Sequence, residues 1–332
     1  MFFIPGLLTH YICGDICLNK LKNSELKNII TKNRQIYNVG TQGPDVFFYY
    51  LPCLYRKKWY QLGNTLHKTN VQAFFGAMLN HIEILDNIEQ KNIAISYLAG
   101  YLTHYSLDYH THPYIYYRSG FKTDNDRNPK LKYSANHRNF ETSIDTLMLK
   151  LISSEKPSDR KICEIIRVSR NESMVTAEIL SKALKDVYDI DMSGNHIYRA
   201  IYSMFTANRL MQSKKGKRKF LMEFIENFTI GEHIISSLIH EQDTKGDIDF
   251  LNLKRAPWYK PWDDIEKYEC AFTDMFEHAI EEAVKMIESE FEYLNGKISK
   301  NEILDIIGNN SLATGMDSNV AIDFKFSDVV YR

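Results

Sequence analysis

The sequence predicts an all-α fold, a multi-helix bundle with a metal cluster between its helices. Two observations predict the helices: breakers are sparse, with 15 glycines and 8 prolines in 332 residues, and apolar residues recur at helical spacing along most of the chain while strand-like alternation is scarce. Four histidines crowded between residues 104 and 137 predict the cluster.

In chain order, 14–33 reads as a short, punctuated helical segment in which Ser24 can serve as an N-cap before Glu25-Leu26-Lys27. Gly40 to Asp45 reads as a turn, with Pro44 and Asp45 at the start of a helix carrying the aromatic run Val46–Leu51. Segment 69–88 is amphipathic through Val71, Phe74, Phe75, Met78, Ile82 and Leu85. Segment 89–109 is the most apolar and therefore central, and His112-Pro113 is expected to end it, because proline pushes its predecessor out of the α region. Helices follow near 136–153, 173–188, 197–213, 217–228 and 264–294, the last stopped by Gly296. Residues 309–332 read as a tail with some extended structure. The whole, 1–332, reads as one domain: a metal-binding core over 1–155, a helical completion over 156–308, and the tail.

Composition narrows the function. Hydrophobic residues at 44% and charged residues at 25% exclude a disordered or fibrous chain. A formal net charge of −1 lends no support to a general polyanion-binding surface, so no stable nucleic-acid partner is expected. Five scattered cysteines make no disulfide scaffold, and no apolar run approaches the roughly 20 residues that span a bilayer. The opening Met1-Phe2-Phe3 lacks the marks of a signal peptide, so a cytoplasmic location is the expectation.

The chemistry concentrates in two motifs. His104-Tyr-Ser-Leu-Asp108 puts an imidazole and a carboxylate one turn apart on one helical face, and His137-Arg-Asn-Phe-Glu141 repeats that geometry on the next helix. Together they offer four mixed N/O ligands to one inter-helix space, which suits zinc. An ordinary helix-face ion pair is the plain alternative for each. Upstream, His10, Asp45 and His67 are further candidates, although Asp45 also suits a helix's first turn and either histidine could be solvated. Tyr114, Tyr116 and Tyr117 could line the cleft or simply pack. The basic run Lys214–Lys219 reads as a solvated loop, Ala256–Trp262 as core or loop anchoring, and His81 as a rim residue.

Taken together, Thr9-His10, Gly43-Pro44-Asp45-Val46-Phe47-Phe48-Tyr49, Leu66-His67, Gly100-Tyr-Leu-Thr-His104-Tyr-Ser-Leu-Asp108, Thr111-His112-Pro113 and His137 with Glu141 resemble, in order and type, the zinc-dependent phospholipase C family, whose fold is shared with the S1/P1-type nucleases. The resemblance covers about the first 145 residues. It implies an all-α domain holding two or three zinc ions. His112, His137 and Glu141 would hold one; Asp45, His67, His104 and Asp108 a second; Asp108 would bridge to a third near His10. His110 competes with His112, which alone precedes proline as the family pattern has it. The secreted relatives complete their third site with an N-terminal tryptophan, where this chain has Met1.

That resemblance implies a phosphodiester hydrolase acting on a phospholipid headgroup or a small phosphodiester: zinc lowers the pKa of a water toward roughly 7 and clamps phosphate oxygens, and Asp45 orients the water as it attacks phosphorus in line. An S1/P1-type nuclease or nucleotidase, and a non-catalytic metal-binding helical protein, are the alternatives.

Overall fold

The computed structural model describes residues 6–50, 56–121, 130–212, 239, 243–244 and 247–331, with the backbone alone described at 56–60 and 130–132. The described residues are mostly helical. Helix α1 spans Leu7–Lys20, α2 Ser24–Lys32 and α3 Arg34–Gly40, followed by a 3₁₀ segment over Gly43–Tyr49. Then come α4 over Arg56–Lys68, α5 over Val71–Glu83, α6 over Ile88–Ser119 and α7 over Lys130–Ser153. After the short α8 at Ile162–Ile165 follow α9 over Arg170–Tyr188 and α10 over Gly194–Met211. Strands β1 (Trp258–Lys260) and β2 (Asp263–Tyr268) form an antiparallel pair ahead of α11 over Phe272–Leu294 and α12 over Lys300–Ile307.

Several boundaries differ from the sequence reading. The segment read as 14–33 is two helices, because Leu21 turns extended (φ −56°, ψ 131°) after α1, and Asn23 rather than Ser24 caps α2 by accepting from Leu26 N–H at 3.0 Å. The segment read as 264–294 divides into β2 and α11. Trp258 is buried, stacks on Tyr268 at 4.9 Å and meets Tyr114 edge-on at 5.4 Å, which holds the hairpin against α6. Helix α11 starts after Ala271, whose N–H donates to the first-turn Asp274 carboxylate at 2.9 Å. The helix read over 217–228, the basic run Lys214–Lys219, His233 and His240 lie outside the described residues.

The largest correction concerns α6, which does not end at His112-Pro113 but runs six residues beyond Pro113 to Ser119. Proline removes the donor that Tyr109 C=O would otherwise receive. The tail covers that freed carbonyl so closely that a Cβ at Gly315 would lie 2.5 Å from it. Residues Tyr114, Ile115 and Tyr117 beyond the proline are buried. Burial of both flanks overrides the local preference, as it commonly does in a central helix.

Helix α6 is the axis of the molecule. Helix α11 lies along it on one side, α3 on another, with α1 and α7 flanking. Backbones of α3 and α6 touch at a glycine pair: a Cβ at Gly40 would fall 2.2 Å from Tyr97 C=O, and one at Gly100 2.2 Å from Tyr37 C=O. That approach draws the turn after α3, and Asp45 with it, onto the middle of α6. Gly296 follows α11 with φ +70°, as expected of a helix stop. No helix among the described residues is long and apolar enough to cross a membrane. The tail has no helix among its described residues, carries turns and bends between 312 and 320, and makes an isolated bridge between Asn310 and Asp317.

Candidate metal centre

Helix α6 has so little polar surface that it supplies His104, Asp108 and His112 to the interior, four residues apart on one stripe. The 3₁₀ segment brings Asp45 over His104, α4 brings His67 from its last turn, α1 brings His10, and α7 brings His137 and Glu141. All eight side chains singled out in the sequence are buried and meet in one continuous cluster.

Asp108 is its hub. Its carboxylate lies 3.0 Å from His104 Nε2, 3.3 Å from His10 Nε2, 3.6 Å from His67 Nε2 and 3.7 Å from His112 Nδ1. Asp45 lies 3.1 Å from His67 Nε2 and 3.7 Å from His104 Nε2. Glu141 Oε1 lies 3.1 Å from His137 Nε2 and 3.5 Å from His112 Nε2. Among the described residues three groups emerge in which potential ligand atoms all lie within 4.8 Å of one another: His10–Asp45–His104, His67–His104–Asp108 and His112–His137–Glu141.

The far side of the rings explains their orientation. His67 Nδ1–H donates to Gly63 C=O at 2.7 Å, His104 Nδ1–H to Thr41 C=O at 3.2 Å, and His112 Nδ1–H to Leu312 C=O at 2.7 Å. A carbonyl can only accept, so in the neutral ring each contact fixes the proton on Nδ1 and leaves the Nε2 lone pair facing the carboxylates. Backbone carbonyls hold metal-ligating histidines in the same way. His137 differs: its Nδ1 lies 3.4 Å from Ser119 Oγ.

Electrostatics agree with a cation-seeking site. Burial pushes the His104 imidazolium down, favouring the neutral ring that a metal needs. At His112 the burial penalty is outweighed by Asp108 and Glu141, which raise it to about 9. Burial would likewise raise Glu141, but His137 and His112 prevail and hold it at about 2. His10 Nδ1, both oxygens of Asp45, His104 Nε2 and Asp108 Oδ2 are buried without a hydrogen-bond partner. Leaving five such atoms unsatisfied costs several kcal/mol unless a cation takes the lone pairs. Imidazole nitrogens and carboxylate oxygens at this spacing suit zinc, whose N and O ligands sit at about 2.0–2.2 Å.

The other described histidines stand apart. His110 points from α6 to α11, with Nε2 3.3 Å from Glu282 Oε2, so His112 and not His110 joins the cluster. His81 pairs with Asp186 at 2.7 Å, and His196 Nδ1 lies 2.9 Å from Ser193 Oγ. Of the three tyrosines, Tyr116 borders the cleft beside His112 and His137, while Tyr114 and Tyr117 pack inward.

Sequence reasoning missed two contributors. Asp145, one turn beyond Glu141, is buried and accepts hydrogen bonds from the start of α1. The tail supplies Leu312 C=O to His112, and Leu312 N–H and Ser311 Oγ–H both donate to His67 C=O, at 2.8 and 3.0 Å. A four-residue extension of the His137/Glu141 stripe could have found Asp145; nothing in a sequence marks a backbone carbonyl.

The cleft above the cluster is bordered by Phe48, Asn64, Lys68, Tyr116 and Ala313. Comparison with curated proteins and with solved structures finds no match. A family profile described as "Zinc dependent phospholipase C" matches residues 9–197, a stretch that contains every one of the eight clustered side chains. With more than half its length matched and this cluster at its centre, the chain belongs to the zinc-dependent phospholipase C family.

Proposed function

We propose that the protein is a zinc-dependent phosphodiester hydrolase of phospholipase C type, with His10, Asp45, His67, His104, Asp108, His112, His137 and Glu141 holding two or three zinc ions. One observation carries the reading: three buried ligand groups lie side by side, Asp108 belonging to one and approaching a histidine of each of the others, with His67, His104 and His112 oriented by backbone carbonyls.

When bound, zinc would supply Lewis acidity, lowering the pKa of a water toward about 7 and offsetting negative charge on the phosphoryl oxygens. The chain's own residues do the rest. Asp45 borders both the cluster and the cleft and has two oxygens without hydrogen-bond donors, so one can orient the attacking water and accept its proton. Lys68 at the cleft edge brings a positive charge to the anionic diester, and Phe48 and Tyr116 offer apolar walls to its organic half. No serine or cysteine nucleophile is required.

The near-zero net charge favours a phospholipid headgroup or small phosphodiester over a long nucleic acid. Cys13, Cys17, Cys163 and Cys270 are free thiols, which fits a reducing, cytoplasmic setting. The tail's hydrogen bonds into the cluster support treating 1–332 as one domain. The test is hydrolysis of a chromogenic phosphocholine diester beside short single-stranded DNA and a chelator control. Chelator-sensitive turnover of the diester supports the proposal; faster cleavage of the DNA selects the nuclease reading, and bound zinc with no turnover on either selects a non-catalytic role.

A further inference from the structure

Asp145 belongs to none of the three ligand groups, yet it joins two of the helices that carry them. From α7 its carboxylate reaches the first turn of α1, accepting Leu8 N–H at 3.0 Å, Thr9 N–H at 2.7 Å and the Thr9 hydroxyl at 2.6 Å. These N–H groups begin a helix and have no intrahelical acceptor. A buried carboxylate is an unusually strong acceptor for them and sits at the favourable end of the helix dipole. The fit is tight on the other side as well: a Cβ at Gly6 would lie 2.6 Å from Asp145 Oδ1, so the chain can enter α1 beside the carboxylate only as glycine.

The consequence falls on His10. It follows Thr9 directly, and its Nε2 lies 3.3 Å from Asp108 Oδ1. Its Nδ1 has no hydrogen-bond partner, so the ring lacks the backbone carbonyl that fixes His67, His104 and His112. What fixes His10 is therefore the placement of α1 itself, and Asp145 sets that placement relative to α7. Asp145 also lies one turn beyond Glu141, and Glu141 one turn beyond His137, so a single stripe of α7 both offers ligands to one group and anchors the helix that delivers His10 to another.

We infer that Asp145 is a positioning residue for the His10-dependent metal position: it carries no ion, but occupancy of that position depends on it. This rests on the proposed zinc function, and goes beyond it by assigning one ion's retention to a residue outside the ligand set.

The experiment is zinc titration of the full chain against a chromophoric chelator, with cobalt absorption as a report on ligand geometry and far-UV circular dichroism as a report on folding. Asp145→Asn is expected to bind its weakest ion about 10–100-fold less tightly, the usual range for a partner that orients a ligand. The remaining ions and the helical signal should be unchanged. His10→Ala should remove the same ion, and the double variant should be no worse than His10→Ala alone. Unchanged affinity for every ion in Asp145→Asn overturns the inference, as does an equal loss across all ions, which a general scaffold role would give. If Asp145→Asn does not fold, Thr9→Val decides, since it deletes one of the three hydrogen bonds: selective weakening of the weakest ion supports the inference, and no change or uniform loss overturns it. A wild type that holds only two ions overturns it while leaving the proposed function standing; a wild type that holds none defeats the proposed function before any variant is made.

Discussion

Gly43 packs against the ring of His104: the glycine has φ +47°, and a Cβ placed on it would lie 2.3 Å from Cδ2 of the imidazole. The turn that delivers Asp45 can pass over the ring only because position 43 has no side chain. Gly43→Ala should therefore cost of order 1–3 kcal/mol for the left-handed backbone alone, with the displaced ring weakening zinc in addition. Chemical denaturation of the metal-free and zinc-loaded variant checks this, and the loss should be larger in the loaded protein. Equal losses in the two forms would place the clash away from the metal groups.

His110 and His112 stand two residues apart on one helix and face different partners, Glu282 and the cluster respectively. His112→Ala and His137→Ala should each empty a metal position and abolish diester hydrolysis while helical content holds. His110→Ala should leave zinc content and turnover near wild type. Zinc analysis and initial rates on the three variants read this directly; full turnover by His137→Ala would refute the ligand assignment.

Zinc binding should release a proton near neutral pH. His112 is raised from 6.5 to about 9, because Asp108 and Glu141 overcome its burial penalty. A raised value means that, in the metal-free protein, its stabilising contribution is fully present below pH 6.5 and is lost as pH climbs through 9. Zinc needs the neutral ring, so it must displace that proton, and affinity should rise with pH up to about 9. Glu141, held at about 2, is already ionised above pH 4.5 and releases nothing. Calorimetry at pH 7 in two buffers of different ionisation enthalpy should show about one proton released through His112, and the His112→Ala variant should lose it.

Glu290 on α11 is buried with no hydrogen-bond partner for either oxygen, and burial pushes its pKa well above the ordinary 4.5. A carboxyl raised in this way stabilises the fold least at high pH: its contribution is intact below 4.5 and falls as pH rises. Glu290→Gln, which has no proton to lose, should stabilise the protein at pH 8 by about 1.4 kcal/mol for each unit by which burial raises the carboxyl. The gain should shrink toward pH 5. A pH-independent difference in denaturation midpoint would contradict this.

The tail braces the histidine cluster even though the family match ends at residue 197. Leu312 C=O holds the His112 ring, and Ser311 and Leu312 hold the end of α4 at His67. Ending the chain after Gly308 should lower zinc affinity by about 10–100-fold with little change in helical content. Unaltered affinity would show that the carbonyl contact is dispensable.

How legible the molecule was depended on where the information sits. Helical periodicity gave α5, α6, α9 and α10 because each buries one stripe or, for α6, nearly its whole surface. The paired spacings of His104 with Asp108 and His137 with Glu141 pointed into one space because helices place such residues on one face. Pro113 misled because a local steric preference lost to packing against the tail, and Trp258 with Tyr268 formed a hairpin where charge-laced residues suggested a longer helix. Asp145 was within reach of the same four-residue rule. The carbonyls of Gly63, Thr41 and Leu312 were not, since backbone acceptors leave no mark on residue identity.

The central claim is that the cluster around Asp108 binds zinc. Elemental analysis of protein purified without chelator or added metal tests it most directly. Two or three zinc ions per chain, falling by one in His137→Ala, is the predicted result; metal-free wild-type protein that also fails to take up zinc on titration would contradict it.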